Sequence, residues 1–106
     1  MSPQEWLKTF RSDALPVIRR QFAPERMVLF GSHARGTATA ASDIDVILVS
    51  SRFEGVPFVR RMPMVLKAIR FRKHVDALCY TPAEFERIKT SSAVVADALA
   101  CGLAMV

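Results

Sequence analysis

The sequence predicts an α/β (α+β) fold, a small mixed sheet with helices packed on it, and three observations carry that prediction. Segments of helical and strand period alternate along the chain in the order helix, strand, strand, helix, strand, helix. The apolar runs Met27 to Phe30 and Val46 to Val49 have strand length and end at glycine or serine. Two stretches, Ser2-Pro3-Gln4-Glu5 and Thr81-Pro82-Ala83-Glu84, pair a hydroxyl cap with proline in the first turn and glutamate three residues after the cap, the signature of a helix start.

The first of these starts opens a helix over residues 3 to 22, in which Trp6, Leu7, Phe10, Ala14, Val17 and Ile18 recur at helical spacing. Pro16 predicts a break near residues 12 to 16, with Ser12 as a second cap. Ala23-Pro24-Glu25 is a turn and Met27 to Phe30 a buried strand. Gly31-Ser32-His33-Ala34-Arg35-Gly36 reads as a tight turn holding one turn of helix, and Thr37 to Ser42 as loop. Asp43 to Ser50 is the second strand. Ser51 to Pro57, with Gly55 and Pro57, reads as an exposed, mobile connection.

From Phe58 to Phe71, Met62, Val65, Leu66 and Ile69 form one apolar stripe with Arg60 and Lys67 opposite, an amphipathic helix with Pro63 in its first turn. His74 to Tyr80 is a third strand interrupted by Asp76. The second capped start opens a helix to about Lys89. A last helix runs from about Ser92 to Cys101 with Gly102 as its stop, and Leu103 to Val106 returns as a short edge strand.

A chain of 106 residues, 51% apolar and 24% charged, has room for one core, so residues 1 to 106 are expected to form a single domain. No apolar run reaches bilayer-spanning length and the N-terminus lacks a signal-peptide pattern, which together predict a cytoplasmic protein with no membrane partner. Cys79 and Cys101 stand apart with no metal-type spacing and read as small buried hydrophobes. Fifteen Lys and Arg against ten Asp and Glu give a net charge of +5, which favours a polyanionic ligand or an acidic protein.

The chemistry is concentrated in Ser42-Asp43-Ile44-Asp45. Two carboxylates one residue apart at the head of a strand point to the same side. Held that close they repel and are costly to dehydrate unless a cation lies between them, which suggests a hard divalent metal, magnesium by default. Gly31-Ser32, roughly ten residues upstream after a buried strand, can bring backbone close to a ligand and offer a hydroxyl and an amide N–H to a phosphate. If the third strand lies beside the second, Asp76 joins Asp43 and Asp45. Three acids around two metals suit in-line displacement at a phosphoryl centre, one ion on the attacking oxygen and one on the leaving pyrophosphate.

With these residues in place, the chain resembles the minimal nucleotidyltransferases of the DNA polymerase β-like superfamily. Gly31-Ser32-His33-Ala34-Arg35-Gly36, Ser42-Asp43-Ile44-Asp45-Val46 and Val75-Asp76 carry the resemblance, which extends over about Leu15 to Val106. It implies that Asp43 and Asp45 bind two Mg2+ ions and, through them, ATP. It implies further that Asp76 completes the second metal position and helps deprotonate the attacking hydroxyl. Gly31 and Ser32 would hold the β- and γ-phosphates, with Arg35 a further phosphate or partner contact. Since larger members add a second domain for the acceptor, the small ones imply an acceptor from elsewhere. The resemblance suggests an antitoxin that transfers AMP to a tyrosine hydroxyl of a HEPN-type helical toxin.

His33 reads as a solvent-facing turn residue and His74 as surface. The Arg60, Arg61, Lys67, Arg70, Arg72, Lys73 series fits the solvated face of a helix or a protein interface. It has no interleaved aromatic residues, so nucleic acid is not expected as a direct partner. Trp6, Phe10 and Phe22 read as core or dimer packing. Two other functional classes remain: an antitoxin that neutralises its toxin by binding alone, and an enzyme acting on an aminoglycoside-like small molecule, which would need a homodimer to build its acceptor pocket.

Overall fold

The computed structural model describes residues 1–106. Its helices are α1 (Pro3–Thr9), α2 (Leu15–Phe22), α3 (Ser32–Arg35), α4 (Phe58–Ile69), α5 (Pro82–Ser91) and α6 (Ala93–Cys101). Its strands are β1 (Arg26–Phe30), β2 (Ile44–Val49), β3 (Val75–Tyr80) and β4 (Leu103–Ala104). They form one mixed sheet in the order β3-β2-β1-β4. The β2 and β3 strands run parallel, and β1 is antiparallel to both β2 and β4.

Side chains alternate across this sheet and each face has its own helices. Met27, Leu29, Ile44, Val46, Leu48, Val75, Ala77 and Cys79 pack with Phe10, Ile18, Phe22, Val65 and Ile69 of the α1–α2 and α4 layer. Val28, Ile47 and Val49 face the other way, against Phe85 of α5 and Val95 and Ala98 of α6. Asp45 and Asp76 have the parity of this second face. The sheet face on which α5 and α6 rest therefore continues into the carboxylates. No helix is long and apolar enough to cross a membrane.

Both capping boxes form. Ser2 and Glu5 close one at the start of α1, and Thr81 and Glu84 the other at α5. The break predicted near Pro16 is a wide π turn, Phe10–Ala14, in which the Leu15 N–H reaches the Phe10 carbonyl. Proline cannot donate and its ring crowds the carbonyl four residues back, and one extra residue in the turn relieves both problems. Ser12 is not a cap: its hydroxyl donates to the Thr9 carbonyl at 3.1 Å, and α2 begins after Ala14 with no side-chain cap.

Other expectations need correction. The segment after β2 is not a simple exposed connection: Ser51–Phe53 is a 3-10 turn and Phe53 is fully buried, stacked on Phe22 with ring centroids 5.5 Å apart. Pro63 lies in the second turn of α4, because the helix starts at Phe58. The carbonyl of Val59, deprived of its i+4 donor, belongs to a residue 80% exposed and can be solvated. Cys101 is exposed while Cys79 is buried, where the sequence reading buried both. Burial pushes the Cys79 thiol up to about 12, so it is inert. Gly102 ends α6 in extended backbone, without a left-handed cap. It is glycine because a Cβ there would strike the Ala98 and Leu29 carbonyls and Val28.

The largest correction concerns Arg61, assigned from its spacing to a solvated face. It is 5% exposed. Its Nε donates to the Val56 carbonyl at 2.9 Å, one terminal nitrogen to the Cys79 carbonyl at 3.2 Å, and both terminal nitrogens to the Glu84 carboxylate. Hydrogen bonding from Arg61, aided by the Thr81 backbone, holds Glu84 at about 2. A charge buried so deep is tolerated because each of the three guanidinium nitrogens has an acceptor and one of those acceptors is a carboxylate.

Candidate active site

Strand polarity brings the candidate residues together. Since β2 and β3 are parallel, both begin at the same end of the sheet, and their second residues meet in register as Asp45 and Asp76. Asp43 lies one residue before β2. The antiparallel β1 ends where they begin, with Phe30 opposite Asp45, and so delivers Gly31-Ser32 to the same edge. The antiparallel pair and the parallel pair together bring three separated sequence segments to one point.

Gly31 has φ 72° and ψ −152°, a region open almost only to glycine. A Cβ there would also collide with Oδ2 of Asp45. The glycine is thus required by its neighbour as well as by its backbone. Beyond it, the N–H groups of Ala34 and Arg35 turn back to the Gly31 carbonyl at 3.1 and 3.0 Å. The N–H groups of Ser32 and His33, first in the helical turn, have no partner within it.

The approach to Asp43 is held by a turn in which the Thr39 N–H donates to the Ser42 hydroxyl at 2.9 Å and the Ser42 N–H to the Thr39 carbonyl at 3.1 Å. Lys73 fixes the loop to the start of β3 by donating to the Ala40 carbonyl at 2.7 Å. The Asp45 carboxyl is raised above its usual range, first by burial and then by the neighbouring charges of Asp76 and Asp43, with His33 opposing. His33, expected to face solvent, is half-buried, and its Nε2 lies 3.4 Å from the Ser42 carbonyl.

His74, expected at the surface, is half exposed but stands 3.1 Å from Asp76 through Nε2 and Oδ1. One donor atom from each of Asp43, His74 and Asp76 falls in a group whose members all lie within 4.8 Å of one another. The signal in the sequence was its place two residues before Asp76 in a strand. Arg35 makes an ion pair with Asp97 of α6, a partner invisible from the sequence. Of the six candidates, Gly31, Asp43, Asp45 and Asp76 converge, Ser32 adjoins them, and Arg35 is engaged with α6.

The donor set fits a divalent cation. Hard carboxylate oxygens crowd one edge, and Asp45, raised first by burial and then by the charges of Asp76 and Asp43, is a group that a cation would stabilise in its charged form. The cavities of the surface lie elsewhere; a cleft of ≈ 70 Å³ bounded by Pro3, Gln4, Leu7, His33, Gly36 and Ala38 adjoins the turn. The carboxylates stand at an open end of the sheet, where a ligand is held by charge more than by enclosure.

A mixed sheet that brings a glycine-serine turn against paired strand-head aspartates defines a nucleotidyl-transfer enzyme. Residues 12–100 match the nucleotidyltransferase domain family, and the chain belongs to it. It is 30% identical over 88 residues, 82% of this chain and 84% of the relative, to a Methanocaldococcus jannaschii protein named as a putative protein adenylyltransferase. A Sulfolobus solfataricus crystal structure described as a putative nucleotidyltransferase superposes with a TM-score of 0.62 at 25% identity, covering 98% of this chain and 86% of that one. BolA1 from Arabidopsis thaliana shares the fold alone, with a TM-score of 0.56 at 22% identity over 70% of this chain and 93% of its own.

Proposed function

We propose that residues 1–106 act as one domain that moves AMP from ATP to a hydroxyl of a partner protein, with Asp43, Asp45 and Asp76 as the metal-binding and catalytic carboxylates. The observation that carries this reading is the register of Asp45 with Asp76 against Gly31. The name of the M. jannaschii relative supports the protein acceptor. The partner in this reading is a HEPN-type helical toxin, which the chain silences as an antitoxin.

Each residue has a distinct task. Asp43 and Asp45 would hold divalent cations, magnesium in this reading, with Asp76 as a shared ligand. Such ions, when bound, neutralise charge on the triphosphate and polarise the phosphorus under attack. Asp76 accepts the proton of the attacking hydroxyl, the partner oxygen bonds to the α-phosphorus, and the bond to the β-phosphate oxygen breaks as pyrophosphate leaves. The Ser32 hydroxyl and the Ser32 and His33 N–H groups hold the terminal phosphates. Arg35, released from Asp97, adds a cation to the same phosphates.

The test is transfer of α-labelled ATP, with magnesium, to a purified HEPN-type protein or to protein in a cell extract. Wild type is expected to label a protein, and Asp43→Ala to lower labelling by at least about 100-fold with an unchanged fold. Equal labelling by the two proteins would end the catalytic reading. Complex formation without labelling would favour neutralisation by binding alone.

A further inference from the structure

The carboxylate edge contains a nitrogen donor to which the transfer reaction assigns no task. His74, the residue just before β3, lies two positions ahead of Asp76, and the two side chains meet. The His74 side chain is 51% exposed, so core packing does not hold the ring there. Its backbone is fixed, because its carbonyl accepts the Ile44 N–H at 3.2 Å. Its Nε2 is 3.1 Å from Asp76 Oδ1. Asp43, one residue before the neighbouring strand β2, adds a third donor within the same 4.8 Å group. A simple surface ion pair accounts for His74 and Asp76 but gives no reason for the convergence of Asp43.

We propose that His74 is a metal ligand, so that Asp43, His74 and Asp76 form a mixed imidazole and carboxylate position selective for Mn2+ over Mg2+. The proposal rests on reading the carboxylates as a cation site. It goes further by dividing that site in two: an all-oxygen side at Asp43 and Asp45, which suits Mg2+, and a nitrogen-containing side at Asp76. Magnesium takes oxygen ligands and gives up water reluctantly, whereas imidazole suits first-row transition ions. The 3.1 Å between the His74 and Asp76 donors matches the roughly 3 Å between adjacent ligands of an octahedral ion with bonds of about 2.1 Å. His33, the other histidine of the chain, is directed at the Ser42 carbonyl and lies outside the group.

The test is electron paramagnetic resonance of Mn2+ added to the purified full chain, without nucleotide. Bound Mn2+ is expected to show nitrogen hyperfine coupling, which changes when the protein carries 15N-histidine, persists in His33→Gln and disappears in His74→Ala. Competition with Mg2+ should show the preference of wild type for Mn2+ falling by roughly tenfold or more in His74→Ala, with Mg2+ affinity little changed. Because His74 is exposed, the variant is expected to fold, and circular dichroism checks it. Mn2+ binding that needs Asp43 and Asp76 but carries no nitrogen coupling would overturn the assignment of His74 and leave the carboxylate site standing. An absence of any carboxylate-dependent Mn2+ binding would overturn both.

Discussion

Two charged clusters sit at opposite ends of β3 and are built on opposite terms. At its C-terminal end Arg61 is buried against Glu84 and two carbonyls, each of its nitrogens bonded, and Glu84 is held at about 2. At its N-terminal end Asp76 meets Asp45 and Asp43, and Asp45 is raised, first by burial and then by these like charges. The first cluster joins α4 and α5 to the edge of the sheet and stabilises the fold. The second gathers like charges that a bound cation would neutralise. Electrostatic satisfaction marks a structural cluster here, and its absence marks the site.

Asp45→Asn separates the two most sharply. Removing one charge from the acidic cluster is expected to lower nucleotidyl transfer by about 100-fold or more. It should also raise the stability of the metal-free protein by about 1 kcal/mol, read as a higher midpoint in urea. A variant that loses both activity and stability would place Asp45 in the structural class. Arg61→Met is the mirror case. It leaves Glu84 and the Cys79 carbonyl without their buried partner and is expected to cost about 3 kcal/mol, while transfer per folded molecule stays unchanged. Near-neutral stability would mean that solvent already satisfies Glu84.

Gly31→Ala tests the acidic cluster through the backbone. The new methyl meets the Asp45 carboxylate at a positive φ, so a loss of about 2 kcal/mol is expected together with weaker nucleotide binding. Loss of stability with nucleotide affinity intact, by calorimetry, would restrict Gly31 to a turn role. The smallest effect is in pH. Glu84 has a folded value of about 2, below the 4.5 usual for a glutamate. Its contribution is therefore complete above about 4.5 and drains away as pH falls toward 2. Acid unfolding curves should show this sensitivity in wild type and lose it in Arg61→Met.

Much of the site was legible because its signals are local. Asp43 and Asp45 were paired by strand alternation alone, and the alternation of elements foretold a mixed sheet. What could not be read depended on partners distant in the chain. Arg61 looked solvated because helical spacing cannot show that the adjacent strand edge and Glu84 lie against that face. Phe53 looked exposed because its segment is rich in turn residues, although the stacking partner, Phe22, was itself assigned to packing. His74 was set aside as surface, yet its place two residues before Asp76 was enough to put them on one face.

The sequence by itself determined the helix starts, the strand-head carboxylates and the glycine after β1, since caps, alternation and positive-φ backbone are properties of a few neighbouring residues. Only the tertiary structure decided that β2 and β3 run parallel in a register that sets Asp45 beside Asp76. That same structure closes Gly31 against Asp45 and ties Arg35 to Asp97. These are contacts between segments far apart along the chain, and they form only when both faces of the sheet are buried and a one-residue slip would turn the apolar side chains outward.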